Sequence, residues 1–368
     1  MKNSAKTLVI AGLMTGTASA AMADASILFA TYAPPSNATN VHGFLPYLKK
    51  VDELSGGDIS TSFSGGGAVV TAKTTLFALQ DGLVDAVYLP SVYYPAELPV
   101  ANLFVNLGSV LEDVPAAIAA MTEAYLFDCP ECTAEDSKWN MRFLGSWSLT
   151  NYDLLCSKPV RTAEDVKGLR IRAAGHTVPL AAALGASPIN VPSSEIFEIV
   201  QRGQVDCVFA PPAFLSTYSL GEITKYVVNV NAGTVPSPHN LVVREDLWND
   251  LSAKDKRTLI EAAPIAAAGS YFGTLEGEEV ELARPEIGYE VIEPDQSLKD
   301  AIKAATAGDV DRAIATAKDK GVENAEDIAR KFMASYEKWR GLTAGINDRD
   351  AYADLLWREL YSRVAIAD

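Results

Sequence analysis

The sequence is poor in the residues from which metal and nucleophilic sites are usually built. Its 368 residues include only 3 histidines and 4 cysteines. His42, His176 and His239 stand apart from one another, and the chain has no HExxH motif, G-x-S-x-G elbow, Walker motif or GxGxxG loop after a strand. These absences argue against most zinc frameworks and the familiar catalytic centres. We therefore expect no enzyme activity, no metal site and no cofactor.

Positive charge is scarce as well. The chain carries 31 Lys+Arg against 47 Asp+Glu, a formal net charge of −16. Binding to phosphates requires clustered basic residues, so this balance argues against nucleic acid and anionic membranes as partners. Hydrophobic residues make up 48% and charged residues 21%, which is typical of globular proteins. A chain of this length exceeds the size of most single cores, which favours two domains.

Long apolar runs are absent beyond the N-terminus. There, Lys2 and Lys6 precede the apolar or small residues 7–20, and an Ala-Met-Ala triplet ends at Ala23, before Asp24. This pattern predicts a secretory signal peptide cleaved near Ala23 and hence export to the periplasm. The alternative, a membrane anchor, is disfavoured because the run is interrupted and shorter than the ~20 residues of a spanning helix.

The few cysteines fit an oxidising compartment. Cys129 and Cys132 form a Cys-Pro-Glu-Cys motif with no second such motif and no nearby histidine, which favours a small structural disulfide over zinc. A redox-active pair and free thiols are the alternatives. Cys156 and Cys207 lie in separate strand-like segments and can pair only if those strands are neighbours, which their spacing leaves open.

Strand-like and helix-like stretches alternate along much of the chain. The strand-like segments cover residues 26–32, 59–63, 84–89, 140–147, 152–156, 169–172 and 205–210, and the C-terminal third is mainly helical. Such alternation is typical of an α/β protein with mostly parallel sheets. No low-complexity linker separates the two halves, which indicates that strands cross between them.

Arg172 is the clearest candidate for a ligand-binding residue. It ends the segment Lys-Gly-Leu-Arg-Ile-Arg (167–172) and precedes the small residues 173–175. Ligands of parallel α/β sheets gather at the carboxyl ends of strands, where a guanidinium can bind a carboxylate through two charge-assisted hydrogen bonds. An ordinary surface arginine is the alternative that these residues leave open.

Several motifs around this strand belong to a recognisable set. They are VKGLRIR (166–172), LGASP (184–188), EIF (195–197), QRGQVD (201–206), LGSW (144–147) and QDGLVD (80–85). In sequence order, they resemble the solute-binding proteins of tripartite ATP-independent periplasmic (TRAP) transporters, of the C4-dicarboxylate-binding type.

The resemblance implies a two-lobed periplasmic binding protein fold of the α/β class, with mixed, mostly parallel sheets, hinge strands and a helical C-terminal third. Such a protein closes on an organic acid and delivers it to the membrane subunits of a TRAP permease. By the family's topology, residues 24–147 and 241–282 form lobe I, and residues 148–240 and 283–368 form lobe II. The family's carboxylate-gripping arginine corresponds to Arg172. We expect a monomer.

Departures from the family pattern point to the kind of ligand. Tyr152 stands where many members have a second arginine, and Tyr32 and the pair Pro90-Ser91 stand where many have Asn and Glu. With Arg172, the predicted ligand-binding residues are Tyr32, Tyr88, Ser91, Trp147, Tyr152 and Phe209. Fewer charged and more aromatic groups predict a monocarboxylate, with aromatic or branched acids as candidates. The alternatives are a dicarboxylate-specific binding protein and a sensory protein on the same fold.

Overall fold

Two β-sheets organise the chain in the computed structural model, which describes residues 25–283 and 288–366. The predicted signal peptide, residues 1–23, lies outside the described residues. The strands are β1 (Ala25–Ala30), β2 (Ile59–Ser64), β3 (Ala86–Val87), β4 (Met141–Ser148), β5 (Asp153–Cys156), β6 (Arg170–Arg172), β7 (Ser187–Ile189), β8 (Cys207–Ala210), β9 (Tyr226–Val228), β10 (Pro236–Arg244) and β11 (Glu290–Ile292).

Each sheet mixes parallel and antiparallel neighbours. The first has the order β2-β1-β3-β10-β4, with β1 parallel to β2 and β3, and β10 antiparallel to β3 and β4. The second has the order β11-β9-β5-β8-β6-β7, in which β6 is parallel to β7 and β8, and β5 is antiparallel to β8 and β9. The predicted α/β class with mixed sheets is therefore confirmed.

The helices pack around these sheets. They are α1 (Leu45–Ser55), α2 (Thr75–Gln80), α3 (Pro99–Asn106), α4 (Val114–Glu123), α5 (Pro130–Lys138), α6 (Ala163–Val166), α7 (Thr177–Ala183), α8 (Ile196–Gln201), α9 (Phe214–Thr217), α10 (Glu245–Asp250), α11 (Ala253–Leu282), α12 (Gln296–Thr306), α13 (Asp309–Asp319), α14 (Ala325–Thr343) and α15 (Arg349–Glu359). Side chains at several helix starts accept backbone N–H groups that have no partner within the helix. Within the described chain, no helix combines the length and apolar character needed to cross a bilayer.

The C-terminal helices divide between the two sheets, in contrast to the expected grouping of residues 283–368 with lobe II. Helices α13, α14 and α15 contribute to the core of the first sheet, where Phe332 packs edge-to-face on Phe104 at 5.0 Å. Of the described elements after α11, β11 and α12 join the second sheet, through residues such as Ile292 and Leu298. The sequence of an amphipathic helix indicates which face is buried, but it does not indicate which part of the protein covers that face.

Two short connections join strands of one sheet directly to strands of the other: residues 149–152 lead from β4 to β5, and residues 229–235 lead from β9 to β10. We call them the crossing segments. They are bonded to each other: Tyr152 N donates to Gly233 O at 2.7 Å, and Ser148 Oγ lies 2.6 Å from Thr234 Oγ1. Gly233 has a φ of +82°, and a Cβ there would lie 2.5 Å from the backbone oxygen of Gly108. Glycine is thus required where the crossing segment meets the first lobe.

Both cysteine pairs are disulfide-bonded. Cys129–Cys132 lies at the start of α5, as the sequence predicted. Cys156 and Cys207 face each other directly in the antiparallel β5–β8 pair and are also bonded. The neighbouring strands resolve the pairing that sequence spacing left open.

Candidate functional site

A narrow cleft lies between the two sheets, beside the crossing segments. Its wall combines the residues that follow β1 and β3, the end of β6, both crossing segments, the turn before α8, the start of α9 and the start of β10. The lining residues are Tyr32, Tyr88, Pro90, Ser91, Val92, Tyr93, Leu149, Tyr152, Arg172, Ala174, Ser193, Phe214, Val235, Pro236 and Ser237. The free volume inside is about 30 Å³, enough for about one water molecule. Typical small-molecule sites enclose ~300–1,000 Å³. An organic acid can enter only if the walls move apart or side chains turn.

Arg172 is the charged group of this wall. It is 1% exposed, and among the described residues its guanidinium donates only to neutral oxygens. Nε and Nη2 donate to Val191 O at 3.1 and 2.9 Å, and Nη2 also donates to Tyr93 Oη at 3.2 Å. Within residues 25–283 and 288–366, no carboxylate pairs with it. A buried cation without a counterion favours the binding of an anion.

Arg170, on the same strand, has the opposite environment. Its side chain is 47% exposed, and its Nε donates to Asp206 Oδ2 at 3.2 Å. The Arg170 charge is therefore neutralised at the surface, whereas that of Arg172 is not. Only the last arginine of the strand is free to meet a ligand in the cleft.

Tyrosines form most of the aromatic surface. Tyr32, Tyr88 and Tyr152 line the cleft, as the sequence analysis proposed. The rings of Tyr32 and Tyr88 are stacked with centroids 5.7 Å apart, and Tyr93 meets Tyr32 edge-on at 6.4 Å. Burial raises the pKa of Tyr32, Tyr88, Tyr152 and Tyr218 above the usual tyrosine value. These hydroxyls stay neutral, so they offer hydrogen bonds and apolar surface without competing negative charge.

Two predicted aromatic residues are not part of the wall. Trp147 stands behind it, edge-on to Tyr88 with ring centroids 5.9 Å apart. Phe209 is buried in the core of the second sheet, and only its backbone oxygen approaches the site, 3.5 Å from Arg172 Nη1. Both side chains can support the cleft without touching its contents.

Several cleft residues carry no motif that would predict them from the sequence. Tyr93 Oη connects the lobes, because it accepts from both Arg172 and the backbone N–H of Ser193 at 2.9 Å. Ser193 Oγ lies 2.9 Å from Tyr218 Oη, and Phe214 completes the apolar wall. The position of Tyr93 two residues after Ser91 is the one available signal, since both belong to the turn that follows β3.

Ser91, also predicted, lines the cleft and is held from behind. Its Oγ lies 2.7 Å from His239 Nδ1, and its carbonyl accepts from Asn102 Nδ2 at 2.9 Å. Among the described residues, no group of three or more His, Cys, Asp or Glu side chains is placed to hold a metal ion.

Comparison with known proteins places this geometry in a family. A family model described as bacterial extracellular solute-binding protein, family 7, matches residues 29–315. The sialic acid-binding periplasmic protein SiaP of Vibrio cholerae is 26% identical over 147 residues, covering 39% of this chain and 45% of that protein. The C4-dicarboxylate-binding periplasmic protein DctP of Rhodobacter capsulatus is 32% identical over 127 residues, covering 34% of this chain and 37% of that one. The chain thus matches less than half the length of these two relatives.

Solved structures share the fold over nearly their whole length. A TRAP periplasmic solute-binding protein from Bordetella bronchiseptica, with bound (R)- and (S)-mandelate, has a TM-score of 0.73 at 22% identity, covering 85% of this chain and 99% of that one. One from Rhodoferax ferrireducens, in complex with benzoate, has a TM-score of 0.75 at 16% identity, covering 87% and 99%. At these identities the likeness concerns the fold.

Proposed function

The chain belongs to the bacterial extracellular solute-binding proteins of family 7, the family that its motifs indicated, and from this premise we propose that it is the solute-binding subunit of a TRAP transporter. In this role it is exported by its N-terminal signal peptide and captures an organic acid anion in the periplasm. It then delivers the anion to the membrane subunits of the permease. The family is one of extracytoplasmic transport proteins, which supports this assignment.

The buried, unpaired guanidinium of Arg172 is the observation that carries the proposal. Its current acceptors, the Val191 carbonyl and the Tyr93 hydroxyl, are neutral, so a ligand carboxylate that replaces one of them gains a charge-assisted bond. Each such bond contributes about 1.5–3 kcal/mol, and the planar guanidinium can form two in parallel. Arg172 would thus act as the carboxylate clamp.

A monocarboxylate fits the cleft better than a dicarboxylate. Among the residues that line the cleft, Arg172 is the one cationic side chain, while Tyr32, Tyr88 and Tyr152 supply aromatic surface. A second carboxylate would meet neutral hydroxyls and apolar groups, which offset little of the free energy needed to remove that carboxylate from water. Structural neighbours bind mandelate and benzoate, which supports aromatic monocarboxylates as the ligand class for this chain.

Binding requires the cleft to open and close. We place residues 25–148, 236–283 and 309–366 in lobe I and residues 149–235 and 288–306 in lobe II, which revises the division expected from the sequence. The two crossing segments would form part of the hinge, since the chain also passes between the lobes from α11 to β11 and from α12 to α13. Tyr93, bonded to Arg172 and to Ser193 across the cleft, would act as a latch that opens to admit the acid.

A thermal-shift screen tests this function. Wild type, Arg172→Lys and the control Arg170→Lys are each heated with mandelate, benzoate, 3-hydroxybenzoate, succinate and further organic acids. An acid at 100 times its dissociation constant adds about 2.7 kcal/mol, or about 4 °C for a chain of this length. Lysine keeps the charge but loses the two-pronged geometry, so we expect the shift to vanish in Arg172→Lys and persist in Arg170→Lys.

Three results would contradict separate parts of the proposal. If no acid shifts the wild type, the solute-binding function is wrong. If Arg172→Lys shifts as much as wild type, the clamp assignment is wrong. If only succinate and related dicarboxylates bind, the ligand class is wrong.

A further inference from the structure

Ser91 is fixed in the cleft wall by a relay of two further buried side chains. Its Oγ lies 2.7 Å from His239 Nδ1, and His239 Nε2 lies 2.8 Å from Asp136 Oδ1. These three residues are at most 2% exposed. They come from three separate elements, the turn after β3, strand β10 and helix α5, so the relay runs from the core of the first lobe to the cleft.

Two neighbouring groups hold His239 in place within the relay. His239 O accepts from Leu89 N at 2.9 Å, which fixes the β10 backbone beside the Ser91 turn. The Tyr125 ring meets the imidazole edge-on, with centroids 5.3 Å apart. Because the ring cannot easily rotate, its hydrogen bonds dictate which way the Ser91 hydroxyl points.

The donor and acceptor in each of these hydrogen bonds follow from Asp136, the last residue of the relay. An ionised Asp136 carboxylate can only accept, so His239 Nε2 must carry a hydrogen. In the neutral ring, Nδ1 is then an acceptor, and Ser91 donates its only hydroxyl hydrogen to it. The remaining lone pairs of Ser91 Oγ receive no hydrogen bond from any described residue.

We propose that the Asp136–His239–Ser91 relay makes Ser91 a hydrogen-bond acceptor in the cleft, and that the protein therefore selects acids bearing a hydroxyl or N–H group besides the carboxylate. This inference rests on the proposed function, because it concerns the same cleft. Arg172 would bind the carboxylate and Ser91 the second polar group. In serine hydrolases the ring is turned the opposite way, with Nε2 facing the hydroxyl, so we assign the relay to recognition.

Calorimetric titration with matched acid pairs tests the inference. The pairs are (R)- or (S)-mandelate with phenylacetate, 3-hydroxybenzoate with benzoate, and lactate with propionate, measured at pH 8. A buried acceptor left unpaired by the deoxy acid should give a preference for the hydroxy acid of at least about tenfold. Ser91→Ala should bring this ratio near one.

A matched control separates recognition from simple loss of a buried hydroxyl. Ser146 is fully buried away from the cleft wall, with its Oγ 2.8 Å from Ile118 O, so Ser146→Ala should keep the wild-type ratio. The inference is overturned if wild type shows no preference for the hydroxy acids, or if Ser91→Ala retains that preference. Should no acid of any pair bind, the proposed function itself fails. The wild-type comparison of each hydroxy acid with its deoxy partner remains decisive even if Ser91→Ala does not fold.

Discussion

The Cys156–Cys207 disulfide should contribute more to stability than Cys129–Cys132, because it closes a much longer loop. The bonded cysteines are 51 residues apart in one case and 3 in the other. Cross-linking lowers the entropy of the unfolded chain by about 2.1 + 1.5R ln n cal/mol/K for a loop of n residues. This gives about 4 kcal/mol for the long loop and about 1.6 kcal/mol for the short one at 25 °C.

Two double variants isolate this difference. Cys156→Ala/Cys207→Ala and Cys129→Ala/Cys132→Ala each remove two sulfur atoms from residues that are at most 5% exposed, so their packing losses should be similar. Urea unfolding without reductant, extrapolated to water, then compares the free energies of unfolding. We expect the first variant to be less stable than the second by about 2.5 kcal/mol. Equal losses in the two variants would refute the loop-length reasoning.

Two further predictions concern the contacts between the lobes. Glu278, on α11 in lobe I, accepts from the backbone N–H of Ala213 in lobe II at 3.1 Å. Burial raises its pKa from an ordinary 4.5 to about 7. Between these pH values the folded protein retains a proton that the unfolded chain has lost, so the contribution of Glu278 to stability falls as the pH rises. In urea titrations between pH 4 and pH 8, the free energy of unfolding of Glu278→Gln should fall by roughly 3 kcal/mol less than that of wild type. An unchanged pH dependence would show that the pKa of Glu278 is not raised in the folded protein. At Gly108 an added Cβ would lie 1.9 Å from the backbone oxygen of Thr234 in a crossing segment, so Gly108→Ala should lower stability by about 2 kcal/mol. The control Gly277→Ala lies in a helix, with nothing within 4 Å of its Cβ, and should be neutral or slightly stabilising. If the two variants unfold at the same temperature, the close approach of Gly108 to Thr234 is not needed for stability.

How far the sequence predicts the site depends on the range of the interactions involved. Arg172 was identifiable because its motif is local and strand alternation is fixed by the backbone. The same alternation states which residues share a face but not which face meets the cleft, so Trp147 and Phe209 were expected at the wall although they stand behind it. Tyr93 carried no motif, and only its bonds to both lobes distinguish it.

The Ser91 relay and the Cys156–Cys207 disulfide are contacts that could not be predicted from the sequence. Ser91 and His239 are separated by 148 positions in the chain, and His239 and Asp136 by 103. No spacing in the sequence predicts such contacts, because they depend on β10 returning beside β3. In the same way, Cys156 meets Cys207 only because β5 and β8 are neighbours.

The sequence by itself determined the α/β class, the family and the arginine that ends the β6 strand, because periodicity and short motifs are properties of the local chain. The tertiary structure decided which faces are buried together. It placed α13, α14 and α15 on the first sheet, closed the cleft around Arg172 and brought the Ser91 relay together. These outcomes depend on packing between residues far apart in the chain, where one apolar face can be covered by any complementary surface and only the complete fold selects which.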